Sequence, residues 1–135
     1  MSFTAVVLDR RSREALVAAL DIPEGWEVVA HHMTINMGPP DAGPAGWMFG
    51  WSFIPTTGPP FAASLEVTHV GRDNRVLAVA VETSVPSRKV RKHVTVAVNV
   101  AAGGKPEHSD TLPWSAWVPL GGIPALRGTV RHVRQ

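Results

Sequence analysis

An α+β fold dominated by antiparallel strands is predicted for this 135-residue chain, and three observations predict it. Short apolar segments recur with period-two alternation. A single segment, Arg10 to Leu20, carries helical spacing. Twelve Gly and twelve Pro punctuate the remainder and leave little room for long helices. The length suits one domain spanning residues 1–135 with one continuous core. Hydrophobic residues make up 44% and charged residues 18%, a balance in which a packed core rather than disorder is expected.

Taken in order, Phe3 to Leu8 is short, apolar and β-prone, and Asp9 stands where it can cap a helix beginning at the next residue. Arg10 to Leu20 repeats Leu16 and Leu20 at i and i+4, with Ala15, Val17 and Ala19 in support of that helix. Asp21-Ile-Pro-Glu-Gly25 reads as a turn. Trp26 to Met37 alternates as one strand. Its even face carries Trp26, Val28, Ala30, His32, Thr34 and Asn36, and its odd face Val29, Met33, Ile35 and Met37. Gly38 to Pro60 is broken repeatedly by Gly and Pro, the pattern of a functional lid or binding loop, with Trp47, Phe49, Trp51 and Phe53 alternating inside it. Further strands are read at Ser64–Val70, Val76–Val81, His93–Val100 and Arg127–Val133. Gly71-Arg-Asp-Asn74 is a hairpin-like turn, and Gly103-Gly-Lys-Pro106 opens another loop.

Composition removes several classes of chemistry. Without cysteine there are no disulfides, thiolate zinc sites, iron–sulfur ligands or cysteine nucleophiles. The N-terminal MSFTAVVLDRRS has no basic segment ahead of its apolar stretch, and no apolar run reaches membrane-spanning length. Neither a signal peptide nor an anchor is expected, and the expected compartment is the cytoplasm. The net charge of +2 is too small to identify a nucleic-acid binder by itself. Arg88, Lys89, Arg91 and Lys92 are clustered, however. They form either a solvated surface run or an attractor of anions leading into the following strand.

The informative feature is a repeated tetrapeptide. His32-Met33-Thr34-Ile35 and His93-Val94-Thr95-Val96 share the pattern His-x-Thr-hydrophobic, each inside an expected strand. Composition makes about 0.2 such occurrences expected by chance. On a strand, residues i and i+2 share a face, so His32 projects with Thr34 and His93 with Thr95. The opposite faces are apolar: Val94, Val96, Val98 and Val100 in the second case. Two sheets with their polar sides opposed would enclose a cleft holding two imidazoles and two hydroxyls. His31 alternates away from His32 and reads as a partly buried structural residue. A zinc site needs three converging ligands, and neither HExxH nor a His pair at helical spacing is present.

Two histidines and two threonines suit phosphodiester cleavage without a metal or cofactor. One neutral imidazole accepts a proton from attacking water, and the other, protonated, donates to the leaving ribose oxygen. The threonine hydroxyls donate to the non-bridging phosphate oxygens. Imidazoles fixed on rigid strands to either side of phosphorus meet the demand of in-line displacement.

The paired motifs resemble those of the 2H phosphoesterase superfamily, which includes LigT-like RNA 2′,3′-cyclic phosphodiesterases and the cyclic-phosphodiesterase domain of tRNA ligases. The contexts HHMTINMGPP, VGRDNRVLAVAV, KHVTVAVN and GGKPEHSDTL are nearest to the tRNA-ligase-type, RNA-repair branch. The resemblance implies a pseudo-symmetric pair of lobes, each an antiparallel sheet, around a central cleft. It implies His32 and His93 as the acid/base pair and Thr34 and Thr95 as phosphate-binding hydroxyls. The absence of a second long helix and the Pro-rich Gly38–Pro60 loop depart from the family pattern.

Three further residues are assigned to substrate binding. Lys105, in the Gly-Gly-Lys-Pro loop, and Ser109 lie just beyond the second motif strand, where a loop folding over the cleft would contact phosphate or base. Trp47, together with Trp51, is suited to stacking a nucleobase. Trp26, Trp114 and Trp117 are expected in the core. The expected partner is RNA with a cyclic-phosphate end or a cyclic nucleotide, bound by a monomer away from membranes. Two alternatives stand beside this reading: a phosphodiesterase for small cyclic (oligo)nucleotide signals, and a non-catalytic RNA- or nucleotide-binding module of the same fold.

Overall fold

A computed structural model describes residues 2–37, 61–85 and 87–134. Its elements are α+β. Strand β1 (Ser2–Leu8) leads into helix α1 (Arg10–Ala19), followed by β2 (Glu27–Val28), β3 (His32–Met37), β4 (Phe61–Arg72), β5 (Val76–Glu82) and β6 (His93–Val98). After β6 come short 3-10 helices at Val100–Ala102, Pro106–Thr111 and Trp114–Ala116, then β7 (Trp117–Pro119) and β8 (Leu126–Arg134). Trp47 and Trp51, and the expected Gly38–Pro60 lid or binding loop that carries them, lie outside the described residues.

The helix forms where its sequence provides a start signal. Asp9 accepts a hydrogen bond from the Ser12 backbone N–H at 2.8 Å, satisfying a donor that the first turn leaves without a partner. Leu16 faces inward and is fully buried. The Arg13 guanidinium donates to the Ala30 carbonyl at 2.9 Å, tying the helix to the chain just before the first motif.

All the described strands belong to one antiparallel sheet, in the order β2-β6-β3-β1-β8-β4-β5, and a further β5–β6 pairing closes it into a ring. β7 extends it by pairing with the end of β4. Closure gives each strand of the ring a neighbour on both sides. The inward residues alternate along each strand: Val6 and Leu8, Met33 and Ile35, Leu65 and Val67, Leu77, Val79 and Val81, Val94 and Val96. Met33 and Ile35 of β3 and Val94 and Val96 of β6, read from sequence as apolar faces, therefore line the interior, whereas Val100, read onto the same face of β6, lies beyond the strand and is exposed. The motif histidines and threonines occupy the outer side.

The expected arrangement of two opposed sheets gives way to a single sheet in which the motif strands are hydrogen-bonded neighbours. Met33 pairs with Val94 in antiparallel register. The expected continuous strand Trp26–Met37 is also interrupted. The backbone N–H groups of Val29 and Ala30 both donate to the Val96 carbonyl, at 2.8 and 3.1 Å, so the chain bulges before β3 begins. The bulge changes the parity: Ala30 enters the core, whereas Val29 turns to the outer face. A second irregularity, between Thr4 and Ala5 of β1, faces the end of β3. There Asn36 is buried and Met37 is exposed, the reverse of their expected faces.

Candidate active site

Antiparallel register around the Met33–Val94 pair sets His32 opposite Thr95 and Thr34 opposite His93. Because the motifs share one pattern, this pairing relates them by a local two-fold axis. The two histidines become diagonal neighbours, a relation that places Cα atoms about 7–8 Å apart. All four motif side chains line one open cavity of about 390 Å³, together with Phe3, Val29, His31, Lys89 and Asp110 among others.

The two imidazoles sit in different surroundings. His32 lies against the Phe3 ring, with centroids 4.6 Å apart, and its Nδ1 is 3.0 Å from Nδ1 of His31. Burial pushes its pKa from 6.5 down to about 4, helped by His31, His93 and Lys89 nearby. It is therefore neutral at pH 7. His31 is also held below the usual histidine range, by burial and by Arg13.

His93 is 8% exposed and anchored at both ring nitrogens. Its Nδ1–H donates to the Arg91 carbonyl at 2.7 Å, and its Nε2 is 3.6 Å from Asp110 Oδ1. A carbonyl can only accept, so the proton of the neutral ring is fixed on Nδ1 and Nε2 carries the lone pair. Burial lowers its pKa, while the Arg91 carbonyl and the Asp110 carboxylate act in the opposite direction and Lys89 adds to the lowering. Lys89 Nζ donates to Asp110 Oδ2 at 2.7 Å, so the carboxylate beside the cavity is neutralised by a cation that also lines it.

The chain after β6 folds back over this face because of two glycines. Gly103 has φ of +75°, a left-handed conformation, and a Cβ on Gly104 would stand 2.2 Å from the Arg75 carbonyl oxygen. The 3-10 helix Pro106–Thr111 then covers Thr95. Thr95 Oγ1 donates weakly to the Pro106 carbonyl at 3.3 Å and lies 2.8 Å from Ser109 Oγ. Ser109 is 3% exposed and acts on Thr95, holding its hydroxyl. Lys105 is exposed and caps this 3-10 helix, its backbone N–H donating to His108 Nδ1; it is not among the residues lining the cavity.

Sequence reasoning misses three contributors. Strand parity turns His31 away from His32, but His31 stands just before β3, outside the strand, and lines the cavity beside that residue. Asp110 and Phe3 carry no signal in motif or spacing. Lys89 is visible in the sequence only as part of a basic cluster, and its neighbours diverge: Lys92 donates to the Thr83 carbonyl, while the Arg91 guanidinium stacks 3.8 Å from the Trp114 ring centroid. Trp117 is buried as expected, whereas Trp114 is 68% exposed. Among the described residues, no three His, Asp or Glu side chains are placed to hold one metal ion, and no helix is long and apolar enough to cross a membrane. Comparison with protein-family models, with curated proteins and with solved structures finds no match.

Proposed function

We propose that the protein is a metal-independent cyclic phosphodiesterase, acting as a cytoplasmic monomer, that opens a 2′,3′-cyclic phosphate at an RNA end or on a nucleotide. The observation that carries this reading is the direct antiparallel pairing of two copies of one motif, which gathers two imidazoles and two hydroxyls around one cavity. The local two-fold axis of that pairing is also what supports a pseudo-symmetric, 2H-like architecture as part of the proposal.

The different environments of the two histidines divide the work. His32, neutral and with its Nδ1–H donated to His31, takes the proton of the attacking water on Nε2. His93, charged on Nε2 with Asp110 stabilising the imidazolium, gives its proton to the leaving ribose oxygen. The water oxygen bonds to phosphorus as the bond from phosphorus to that ribose oxygen breaks, leaving a phosphomonoester and a free hydroxyl. Thr34 and Thr95 donate to the non-bridging oxygens. Ser109 donates to Thr95 Oγ1, and the threonine proton, turned towards the Pro106 carbonyl in the free protein, swings to the phosphate when substrate binds. The phosphomonoester departs with the second proton of the water, and the rings reset by exchange with solvent, His32 releasing the proton it took and His93 regaining the one it gave.

The reading is tested by incubating the protein, in excess EDTA, with 2′,3′-cyclic mononucleotides, cyclic-phosphate-ended RNA and cyclic oligonucleotides. Opening of the 2′,3′-cyclic phosphates, undiminished by the chelator, is the expected result. Absence of turnover on all of them would overturn it, as would activity abolished by EDTA and restored by zinc or manganese.

A further inference from the structure

A second cavity of about 290 Å³ adjoins the first. His93, Lys89 and Asp110 line both, so the two meet at the proposed acid. Away from that junction, the smaller cavity is formed by Arg88, Arg91, Leu112, Trp114 and Trp117. Its charged lining is thus three cations against the single carboxylate of Asp110. The cations come from one short segment in which Val90 is 92% exposed.

The aromatic side of this cavity is built differently from the core. Trp117 lies flat on Gly71, where an added Cβ would stand 2.5 Å from the indole ring, and so forms a fixed floor. Arg91 stands over it with its guanidinium carbon 5.2 Å from the Trp117 centroid and 3.8 Å from that of Trp114. Trp114 remains 68% exposed even so. A large, restrained and exposed aromatic next to several cations is the combination that binds single-stranded nucleic acid: the cations meet the backbone and the ring meets a base.

We propose that this cavity is a second nucleotide subsite, holding the phosphate and base on the 5′ side of the terminal nucleotide, so that the substrate is the end of an RNA strand rather than a mononucleotide. The inference rests on the reading of the neighbouring cavity as the phosphodiesterase centre. Arg88 and Arg91 contact the internucleotide phosphate, and Trp114 stacks the penultimate base. A small 2′,3′-cyclic mononucleotide fills only the larger cavity and gains none of these contacts.

The experiment compares kcat/KM for a 2′,3′-cyclic mononucleotide with that for a dinucleotide bearing the same cyclic end, in the wild type, Trp114→Ala and Arg88→Ala. The wild type is expected to prefer the dinucleotide by about tenfold or more, and each variant to lose most of that preference. The ratio between substrates is the readout, because a purely structural role for Trp114 would lower both rates together. Equal rates on both substrates in the wild type, or variants that leave the ratio unchanged, overturn the subsite.

Binding is measured in parallel by fluorescence anisotropy of a labelled trinucleotide 3′-phosphate. Salt-sensitive binding weakened by Trp114→Ala, in a protein that turns over neither substrate, would sink the catalytic reading and leave the RNA subsite standing. Absence of binding together with absence of turnover would overturn both.

Discussion

The two motif strands carry the same tetrapeptide pattern, yet the structure treats their histidines differently. His32 is set against an aromatic ring and a second imidazole. His93 is held between a backbone carbonyl and a carboxylate. The difference teaches that a local two-fold in sequence does not impose symmetry in proton affinity. The segments that pack around each strand decide that: β1 and the β2–β3 bulge on one side, and the 3-10 helix Pro106–Thr111 on the other.

The strongest test of this division is removal of each imidazole. His32→Ala and His93→Ala are each expected to lower turnover by about 10²–10⁴-fold on a confirmed substrate. The double variant should be little worse than the poorer single one, because the two groups act as a unit. The pH profile separates them further. Wild-type kcat/KM should trace a bell, with an acid limb near pH 4 from His32 and an alkaline limb below pH 6.5 from His93. His32→Ala should retain only the alkaline limb. A limb near pH 4 that persists in that variant would assign it to another group.

Asp110→Asn addresses the His93 side alone. Loss of the carboxylate removes an influence that raises the His93 pKa, so the alkaline limb moves to lower pH. Turnover at pH 7 should fall with it, because a smaller fraction of His93 is then charged. An unchanged limb would show that Asp110 does not govern His93. Thr95→Ala should cost about tenfold and Ser109→Ala only a few-fold, since water can replace part of a neutral hydroxyl's hydrogen bonding.

Stability offers a comparison independent of substrate. The folded pKa of His32 lies below its ordinary value, so the unfolded chain binds more protons between about pH 4 and pH 6.5. The contribution from neutral His32 is complete above pH 6.5 and is lost as pH falls towards 4, by up to about 3 kcal/mol. Denaturant unfolding of wild type and His32→Phe at pH 7 and pH 5 checks the sign. The wild type should lose more stability on acidification than the variant, and equal losses would contradict the depressed pKa.

Much of the candidate site is legible in the sequence because strand parity is a local property. The pattern His-x-Thr with apolar residues between and after fixes which side chains share a face, and Asp9 followed by Leu16 and Leu20 marks the helix. What parity does not encode is which strands become neighbours. The two motif strands, expected on opposed sheets, instead pair directly, through contacts between residues far apart in the chain. Nor does parity reveal the bulge in which two N–H groups share the Val96 carbonyl, or that the strand resumes only at His32 and leaves His31 free to line the cavity. The glycines at 103 and 104 suggest the opening of a substrate loop. Their φ and close packing instead direct the chain so that Ser109 and Asp110 meet Thr95 and His93, while Lys105 stays outside.

The central claim is that His32 and His93 serve one phosphate group. The most direct measurement is an NMR titration of the imidazole nitrogens of both residues, with and without a saturating nucleoside 3′-phosphate, the phosphomonoester that resembles a product. Bound between them, the anion should raise both pKa values together, His32 from about 4 and His93 from its own lowered value. A ligand that shifts only one imidazole, or neither, would contradict a shared phosphate site.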